Sequence, residues 1–487
     1  MAKKKTQQSS LFKWMIGLVV GAVFIGLRIF SLQQSFWFWG DMGRDFFVLQ
    51  NWAQQPFHPP LLGPQTSVFS FNHSAWYYYL LFPFFILTGH SPYATYIAIL
   101  TSYAAIFIGG LMVFKKKRHW LPFIALFYLL AIHPQFVMQH RYIWNPSLIT
   151  PFLLLGFWAW WRYQWQKNWR WLAVFAGSTA VAAGLNLSIA PTALVMGALF
   201  LWEQRRSKAG FWQFIGLSAL ANLIVHLPTL VFELRHRFLL WQNLPAERLQ
   251  QLEPNFDQKL TQFFANIFLP NQPVNWSLNL GLAVIVLLLF VYLRSMKLRN
   301  NWVFTRSLSI AFFTAVLIML FPIQMQAHFL FGVLTFLLVA LARLPRKLLW
   351  AVLIVLSVLY LQPAYFQLYQ ERAPHTVDEQ RQCMQITCQT IKTQGLEPIF
   401  VNTQTASYNH QAREYVFWLK ELGCQAIDTQ QFLQTPTDYM AVVADRAEFT
   451  NGQTGYYELS QFGPAEELQK IACKEDLTIH LLKRTAR

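Results

Sequence analysis

Long apolar stretches separated by short polar ones fill the first 370 residues. Eleven of these stretches approach the length of about 20 residues that an α-helix needs to cross a bilayer. Their approximate limits are 12–32, 92–114, 120–139, 147–162, 170–186, 188–203, 211–232, 275–293, 303–322, 328–343 and 348–363. The stretches on either side of Asn186 are short, so the predicted number of spans carries an uncertainty of two. The pattern predicts a polytopic, mainly α membrane domain over residues 1–370.

A twelfth apolar stretch, AWYYYLLFPFFILTG at residues 75–89, stays outside this scheme. It is short for a hydrocarbon layer of about 30 Å, and Pro83 interrupts it. We expect a re-entrant or interfacial helix, and an ordinary second span is the alternative. Residues 44–54 also carry an apolar helical face. The first outer loop, residues 33–91, is therefore predicted to contain two interfacial helices.

The pattern changes to that of a soluble domain after residue 370. Helices are predicted for VDEQRQCMQITCQTIKTQG, HQAREYVFWLKELG and PAEELQKIA, and strands for PIFVNT, YMAVVAD and LTIHLLKR. Alternating helices and strands indicate a small α/β domain over residues 371–487.

The charge distribution predicts the orientation in the membrane. Residues 1–370 carry 28 Lys and Arg against 7 carboxylates, whereas residues 371–487 carry 11 against 15. The basic residues form clusters between apolar stretches, as cytoplasmic loops do, and not the continuous patch of a nucleic-acid-binding protein. If six such clusters face the cytoplasm, the N-terminus lies in the cytoplasm and the C-terminal domain lies outside. The expected partners are membrane lipids and not nucleic acid.

All four cysteines lie in the predicted exported domain: Cys383, Cys388, Cys424 and Cys473. An even number confined to an exported domain favours disulfides, and four buried thiols are the alternative. A zinc site is less favoured because the sequence has no C-x2-C pair.

Two of the seven carboxylates of residues 1–370 lie in the motif GDMGRDFF, with Arg44 between Asp41 and Asp45. A carboxylate at the bilayer centre costs about 3 kcal/mol, so both must face water, a partner or a cavity. The simplest interpretation is structural: Asp41 caps a helix and Arg44 forms a local salt bridge. A catalytic pair is the second interpretation.

Further polar residues gather on the same predicted outer face, in the segments HRYIWNPS (140–147), FELRHRF (232–238) and QMQAHF (324–329). Arginines and histidines at helix ends are usually interfacial anchors. Several such groups on one face also suit a pocket that binds substrate. The candidates for substrate binding are Arg44, His73, Tyr77, Arg141, Trp144, Asn145, Glu233, Arg235, His236 and His328.

The order of these features resembles the C-type (GT-C) membrane glycosyltransferases. A basic N-terminus and first span lead to an acidic motif, then to a Pro-rich turn and the stretch WYYYLLFPFF. The likeness is to the bacterial branch of protein mannosyltransferases and the aminoarabinose transferase. It is best over residues 10–145, and it implies a GT-C-like fold in the bacterial inner membrane.

The resemblance also implies a reaction. Members of the family move a sugar from a polyprenyl-phosphate donor to a glycan, lipid or protein acceptor on the extracytoplasmic face, with inversion. Asp41 matches their catalytic carboxylate, although Met42 follows it where the family has a second acid, so the base lies between Asp41 and Asp45. Arginines such as Arg141 suit the departing phosphate. No cofactor is expected to be required, and a divalent cation held by the two aspartates is an alternative.

Two other functional classes stay open. A transporter or flippase of lipid-linked sugars would use the same arginines and aromatic residues without transfer chemistry. A scaffold would use the exported domain as its working part.

Overall fold

The computed structural model describes residues 2–66, 71–114, 117–141, 144–242, 256–267, 274–320, 326–405, 412–445, 449, 457–474 and 476–485. The chain divides into two compact units. The first unit comprises Met1–Leu32, Pro60–Phe84 and Tyr93–Gln370. The second unit comprises Gln33–Pro59, Phe85–Pro92 and Glu371–Arg487.

Helices form most of the described chain up to Gln370. They are α1 (Ala2–Ile29), α2 (Leu32–Ser35), α3 (Asp41–Gln54), α4 (Trp76–Leu87), α5 (Ala94–Val113), α6 (Lys117–Ile132), α7 (Pro134–Gln139), α8 (Ile149–Gln166), α9 (Trp169–Leu185), α10 (Ala190–Gln204), α11 (Lys208–Arg235), α12 (Leu239–Gln242), α13 (Phe256–Ile267), α14 (Val274–Arg294), α15 (Met296–Arg299), α16 (Trp302–Leu320), α17 (Phe331–Leu341), α18 (Arg346–Tyr360) and α19 (Pro363–Gln370). Short 3₁₀ segments lead into α8, α10 and α17, at Asn145–Leu148, Leu187–Ile189 and Ala327–Leu330.

Each of the eleven stretches predicted to span the membrane contains a helix. Among the described residues, five helical segments are long and apolar enough to cross a bilayer: Leu11–Ile29, Ala94–Val113, Leu187–Gln204, Lys208–Arg235 and Trp302–Leu320. The pair α18 and α19, bent by 50°, would make a sixth. The chain is thus a multi-pass membrane protein, and the count of eleven stays a prediction.

Helix α4 occupies the twelfth apolar stretch. It has 12 residues with Pro83 inside it, so it extends about 18 Å at 1.5 Å per residue. That length falls short of a bilayer, in agreement with a helix that does not span it, although its position in the membrane stays a prediction.

The C-terminal part of the second unit is an α/β fold. Its helices are α20 (Val377–Gln394), α21 (Arg413–Glu421), α22 (Thr429–Gln434) and α23 (Tyr457–Phe462), and its strands are β1 (Ile399–Thr405), β2 (Ala426–Ile427), β3 (Tyr439–Asp445), β4 (Ala465–Lys474) and β5 (Leu477–Arg484). The sheet order is β2-β1-β3-β5-β4. Strand β1 is parallel to β2 and β3, while β5 runs antiparallel to β3 and β4. The predicted mixture of helices and strands is confirmed.

Local signals explain where α20 begins and ends. Thr376 and Glu379 form a reciprocal capping box at its start, and Gly395 ends it in the left-handed conformation with φ of 67°. The helix predicted for PAEELQKIA is wrong, because residues 465–474 form strand β4. Pairing with β5 satisfies the backbone of this segment, and tertiary context of this kind overrides local helix propensity.

Two disulfides hold the second unit together. Cys383 of α20 is bonded to Cys473 of β4, and Cys388 of α20 is bonded to Cys424, which precedes β2. Helix α20 is thereby linked to the edge strand β4 and to the residue that leads into β2, the strand at the opposite edge. The prediction of disulfides is confirmed, and the pairing is a result of the tertiary structure.

Helix α3 belongs to the second unit. Its apolar face packs on α21, where Phe46 lies edge-to-face against Phe417, with ring centroids 5.9 Å apart. The Gln50 amide donates hydrogen bonds to the Phe417 carbonyl and to the Glu421 carboxylate, at 3.1 and 2.6 Å. The apolar face that the sequence assigned to the membrane surface thus meets a protein surface, because α21 presents a complementary apolar face.

Candidate active site

The acidic motif opens helix α3. Gly40 holds the N-cap position with φ of 56°, and no side chain caps the helix. The prediction that Asp41 caps this helix is wrong, because Asp41 is its first residue. A carboxylate in the first turn still interacts favourably with the partial positive charge of the helix N-terminus.

Arg44 holds both acids of the motif. Its Nη1 atom lies 2.7 Å from Asp41 Oδ1, and its Nε and Nη2 atoms each lie 2.9 Å from Asp45 Oδ1. The two carboxylates differ in accessibility, since the Asp41 side chain is 39% exposed and that of Asp45 only 1%. Asp45 therefore anchors Arg44 from a buried position, and Asp41 is the more accessible of the two acids.

A third carboxylate, missed by the sequence analysis, lies against the start of α3. Glu414 of α21 is buried, and its carboxylate accepts hydrogen bonds from the backbone N–H of Gly40 and from its own N–H. Gly43 packs directly on it: a Cβ at Gly43 would lie 2.6 Å from Glu414 Cβ and 2.7 Å from Glu414 N. Only glycine permits this close approach of α3 and α21.

The environment of Glu414 favours its neutral form. Burial raises the pKa of Glu414 to about 7, and the nearby Asp445 carboxylate adds to the rise. The hydrogen bonds from the two backbone N–H groups and the Arg413 guanidinium oppose it. This carboxyl group therefore changes charge near neutral pH.

Asp445 itself has two buried partners. Its Oδ1 atom lies 3.0 Å from His375 Nε2, and its Oδ2 accepts from the Tyr415 hydroxyl at 3.3 Å. His375 is fully buried. These contacts join β3, α21 and the segment before α20, so that a polar network underlies the acidic motif within the second unit.

The other nine predicted site residues lie in the first unit. Two of them meet: the Trp144 and His328 rings are edge-to-face with centroids 4.9 Å apart. Each lies at a 3₁₀ segment that leads into a helix. This ring pair is the clearest group of predicted residues that the first unit brings together.

His73 and Asn145 support the break between α9 and the 3₁₀ segment that follows. The Asn145 amide donates to the Leu185 carbonyl at 2.6 Å, and His73 Nδ1 accepts from the Leu187 N–H at 3.2 Å. The backbone groups freed by the break thus find partners, as buried backbone must. Both side chains are buried, so the structure gives them a role in the fold.

Arg141 is also engaged by backbone. Its guanidinium donates to the carbonyls of Phe30 at 2.7 Å and Arg28 at 3.2 Å, near the end of α1, and to that of Tyr369 at 2.6 Å. Arg28, which the sequence analysis did not select, does the same for α6: it donates to the carbonyls of Leu130 and Ala131, and to His140 Nδ1. Arg141 thus satisfies carbonyls at the end of α1, and Arg28 of α1 satisfies carbonyls at the end of α6. The predicted phosphate contact of Arg141 stays a prediction.

The remaining candidates are scattered. Glu233, Arg235 and His236 lie at the end of α11, where Glu233 is buried and accepts from the Leu240 N–H at 3.2 Å, while Arg235 is exposed. The His236 ring stacks on Phe232 with centroids 4.1 Å apart. Tyr77 is 1% exposed, with its ring against Tyr78.

The described residues contain no group of three or more His, Cys, Asp or Glu side chains that could hold a metal ion. Asp41 and Asp45 both direct an oxygen to Arg44. A guanidinium between two carboxylates occupies the position that a cation would need. A divalent cation on this pair would have to displace Arg44 from both carboxylates, and its requirement stays untested.

Comparisons with known proteins bear on the fold. No family model matches the sequence, and no curated protein matches it. The structure is similar to that of ArnT from Cupriavidus metallidurans bound to undecaprenyl phosphate, at 12% identity and a TM-score of 0.60 over 98% of each chain. It matches ArnT in the apo state equally well, at 11% identity.

An oligosaccharyltransferase of Archaeoglobus fulgidus, in complex with zinc and sulfate, is a more distant match. Its TM-score is 0.46 at 11% identity, covering 88% of this chain and 67% of that one. The match to ArnT confirms, at the level of the fold, the resemblance stated from the sequence: the chain has the fold of ArnT.

Proposed function

We propose that this protein is a membrane glycosyltransferase that moves a sugar from a polyprenyl-phosphate donor to an acceptor on the extracytoplasmic face. The fold of ArnT over 98% of both chains supports the class of enzyme. The structure of ArnT contains bound undecaprenyl phosphate, which supports a polyprenyl phosphate as the lipid carrier here. The predicted orientation puts the acidic motif on the outer face of the bacterial inner membrane.

Asp41 is the proposed general base. The observation that carries this assignment is the difference in burial between the two acids on Arg44, 39% against 1% exposure. A base must reach the proton that it removes, which Asp45 in its buried position does not. Arg44 orients Asp41 through a charge-assisted hydrogen bond of 2.7 Å.

The proposed step is a single displacement. The acceptor hydroxyl or amine attacks the anomeric carbon of the sugar and gives its proton to the Asp41 carboxylate. The bond between that carbon and the phosphate oxygen breaks, and polyprenyl phosphate leaves with the electron pair. Attack on the face opposite the leaving group inverts the configuration. The Trp144 and His328 pair is proposed to contact the substrate, as is the exposed Arg235.

The decisive experiment replaces Asp41 by Asn in the full chain. The donor is first identified by mass spectrometry of lipids that copurify with the protein. We expect Asp41→Asn to lower kcat by about 10²- to 10⁴-fold, because general base catalysis contributes that much. Binding of undecaprenyl phosphate should be retained, because the substitution keeps the size of the side chain.

Asp378→Asn is the matched control. Asp378 is also an exposed acid in the first turn of a helix of the second unit, and its removal should leave kcat unchanged. Full activity in Asp41→Asn would contradict the assignment, and transport of the lipid-linked sugar without transfer would identify a flippase.

The reaction is proposed to need no metal ion. Incubation with EDTA, followed by removal of the chelator, should leave the rate of sugar transfer within about twofold of the untreated protein. Loss of activity that Mg²⁺ or Mn²⁺ restores would show that the reaction needs a divalent cation.

A further inference from the structure

The first unit contains a cavity that the proposed reaction does not use. It has a volume of about 230 Å³ and lies between α5, α6, α8, α16 and α17. Aromatic and small residues form its walls, among them Phe114, Phe123, Trp158 and Trp161, with Gly109 on one side. A partly open cavity of this composition, between helices of a membrane protein, suits a hydrocarbon chain and not a sugar.

The lining of this cavity includes one cationic group. Among the described residues that line it, Arg343 alone is charged. Its Nη1 atom lies 3.4 Å from His119 Nδ1, and the His119 ring packs against Phe114 and Trp161 of the wall. A guanidinium in the lining of an apolar cavity is complementary to a phosphate attached to an apolar chain.

The surroundings are basic as well. Arg346 and Lys347 start α18 just beyond Arg343 in the chain. No carboxylate is among the described residues of the lining. Arg343, Arg346 and Lys347 belong to one of the clusters that the positive-inside rule assigns to the cytoplasm.

We propose that this cavity binds one acyl chain of an anionic glycerophospholipid, with the lipid phosphate at Arg343. Basic pockets between membrane helices on the cytoplasmic side select anionic headgroups, since each Lys or Arg near the surface adds attraction to an anionic lipid. The apolar walls hold the chain, and the guanidinium selects the headgroup. The site is separate from the acidic motif and stands whether or not the chain transfers a sugar.

The first test uses the unmodified protein. It is purified in detergent and mixed with phosphatidylglycerol or phosphatidylcholine that carry the same acyl chains, and bound lipid is counted by native mass spectrometry. We expect phosphatidylglycerol to be retained at least about fivefold more strongly, as one favourable Arg contact would produce.

Two substitutions separate the chain from the headgroup. A Cβ at Gly109 meets nothing within 4 Å, so Gly109→Leu can fill the cavity without a backbone clash and should abolish retention of both lipids. Arg343→Gln should remove the preference for phosphatidylglycerol and leave chain binding intact. The matched control is Gly216→Leu on α11, where a Cβ also meets nothing within 4 Å and which does not line the cavity.

Several results would overturn the proposal. Equal retention of the two lipids by the unmodified protein would remove the role of Arg343. Normal retention by Gly109→Leu, in a variant whose circular dichroism matches the parent, would show that the lipid binds elsewhere. Complete displacement of phosphatidylglycerol by equimolar undecaprenyl phosphate in the unmodified protein, together with loss of undecaprenyl phosphate binding in Gly109→Leu, would assign the cavity to the polyprenyl chain instead.

Discussion

Asp41 and Asp45 are the same residue type, four positions apart, and share one arginine. Their side chains nevertheless differ in exposure by more than an order of magnitude. The start of a helix leaves the first residue open, while the residue one turn later faces the packed surface. This difference in burial is the reason why Asp41, and not Asp45, is the proposed general base.

Glu414 allows a prediction on pH. Its folded pKa of about 7 lies above its ordinary value near 4.5, so the folded state binds the proton more tightly than the unfolded state does. The contribution of Glu414 to stability is therefore fully present when the pH is below its ordinary pKa near 4.5, and it is lost as the pH rises through about 7. We expect Glu414→Gln to remove this loss, which is on the order of 3 kcal/mol.

The measurement is the free energy of unfolding of the parent and of Glu414→Gln at pH 5 and pH 8. The free energy of unfolding of the variant, relative to that of the parent, should be higher at pH 8 than at pH 5. Parallel pH profiles would show that the buried carboxyl group keeps its ordinary pKa.

At the scale of elements, α3 and α21 meet where the motif begins. Gly43 removes the side chain that would separate the two helices, and the Gly40 N–H finds an acceptor on α21. Further along α3, Gln50 bonds to the same helix. The orientation of the proposed base is thus fixed by a helix that lies about 370 residues away in the sequence.

Gly43→Ala tests this packing. The added Cβ would lie within 2.8 Å of backbone atoms of Glu414, so α3 must move away from α21. We expect a loss of about 1–3 kcal/mol of stability, as in overpacked cores, and a fall in kcat of about tenfold or more, because a displacement near 1 Å can cost up to about 10²-fold.

Thermal unfolding and sugar transfer are the two measurements. Gly26→Ala on α1 is the control, since a Cβ there meets nothing within 4 Å and alanine favours the helix. Wild-type kcat in Gly43→Ala would show that the position of Asp41 does not depend on this contact.

At the scale of the whole molecule, the chain combines two units with different sources of stability. The first unit is held by apolar helices whose ends are satisfied by buried arginines, Arg28 and Arg141. The second unit has a five-stranded sheet and two disulfides. The disulfides close separations of 90 and 36 residues, which restricts the unfolded chain.

Removal of either disulfide should weaken the second unit. Replacing Cys383 and Cys473 by Ser, or Cys388 and Cys424, is expected to cost about 2–5 kcal/mol in each case. Limited proteolysis of the full chain should then cut after residue 370 at a lower temperature. Peptide mapping without reductant should recover both pairs, and any other pairing would contradict the structure.

Much of the fold follows from signals that are local in the sequence. Hydrophobic length placed a helix in every predicted span, and the capping box at Thr376 with Gly395 set both ends of α20, because these signals depend on neighbours within a few residues. The strand β4 could not be predicted in the same way, since the hydrogen bonds of its backbone come from β5.

The sequence by itself determined that the chain enters the membrane, that its cysteines lie in an α/β part, and that an acidic motif with Arg44 precedes residue 50. Composition and periodicity suffice for these conclusions, because solvent and bilayer act on each segment separately. Only the tertiary structure decided the pairing of the cysteines, the burial of Asp45 against the exposure of Asp41, and the contact of Glu414 with the start of α3. Those features arise between residues far apart in the chain, and packing alone brings such residues together.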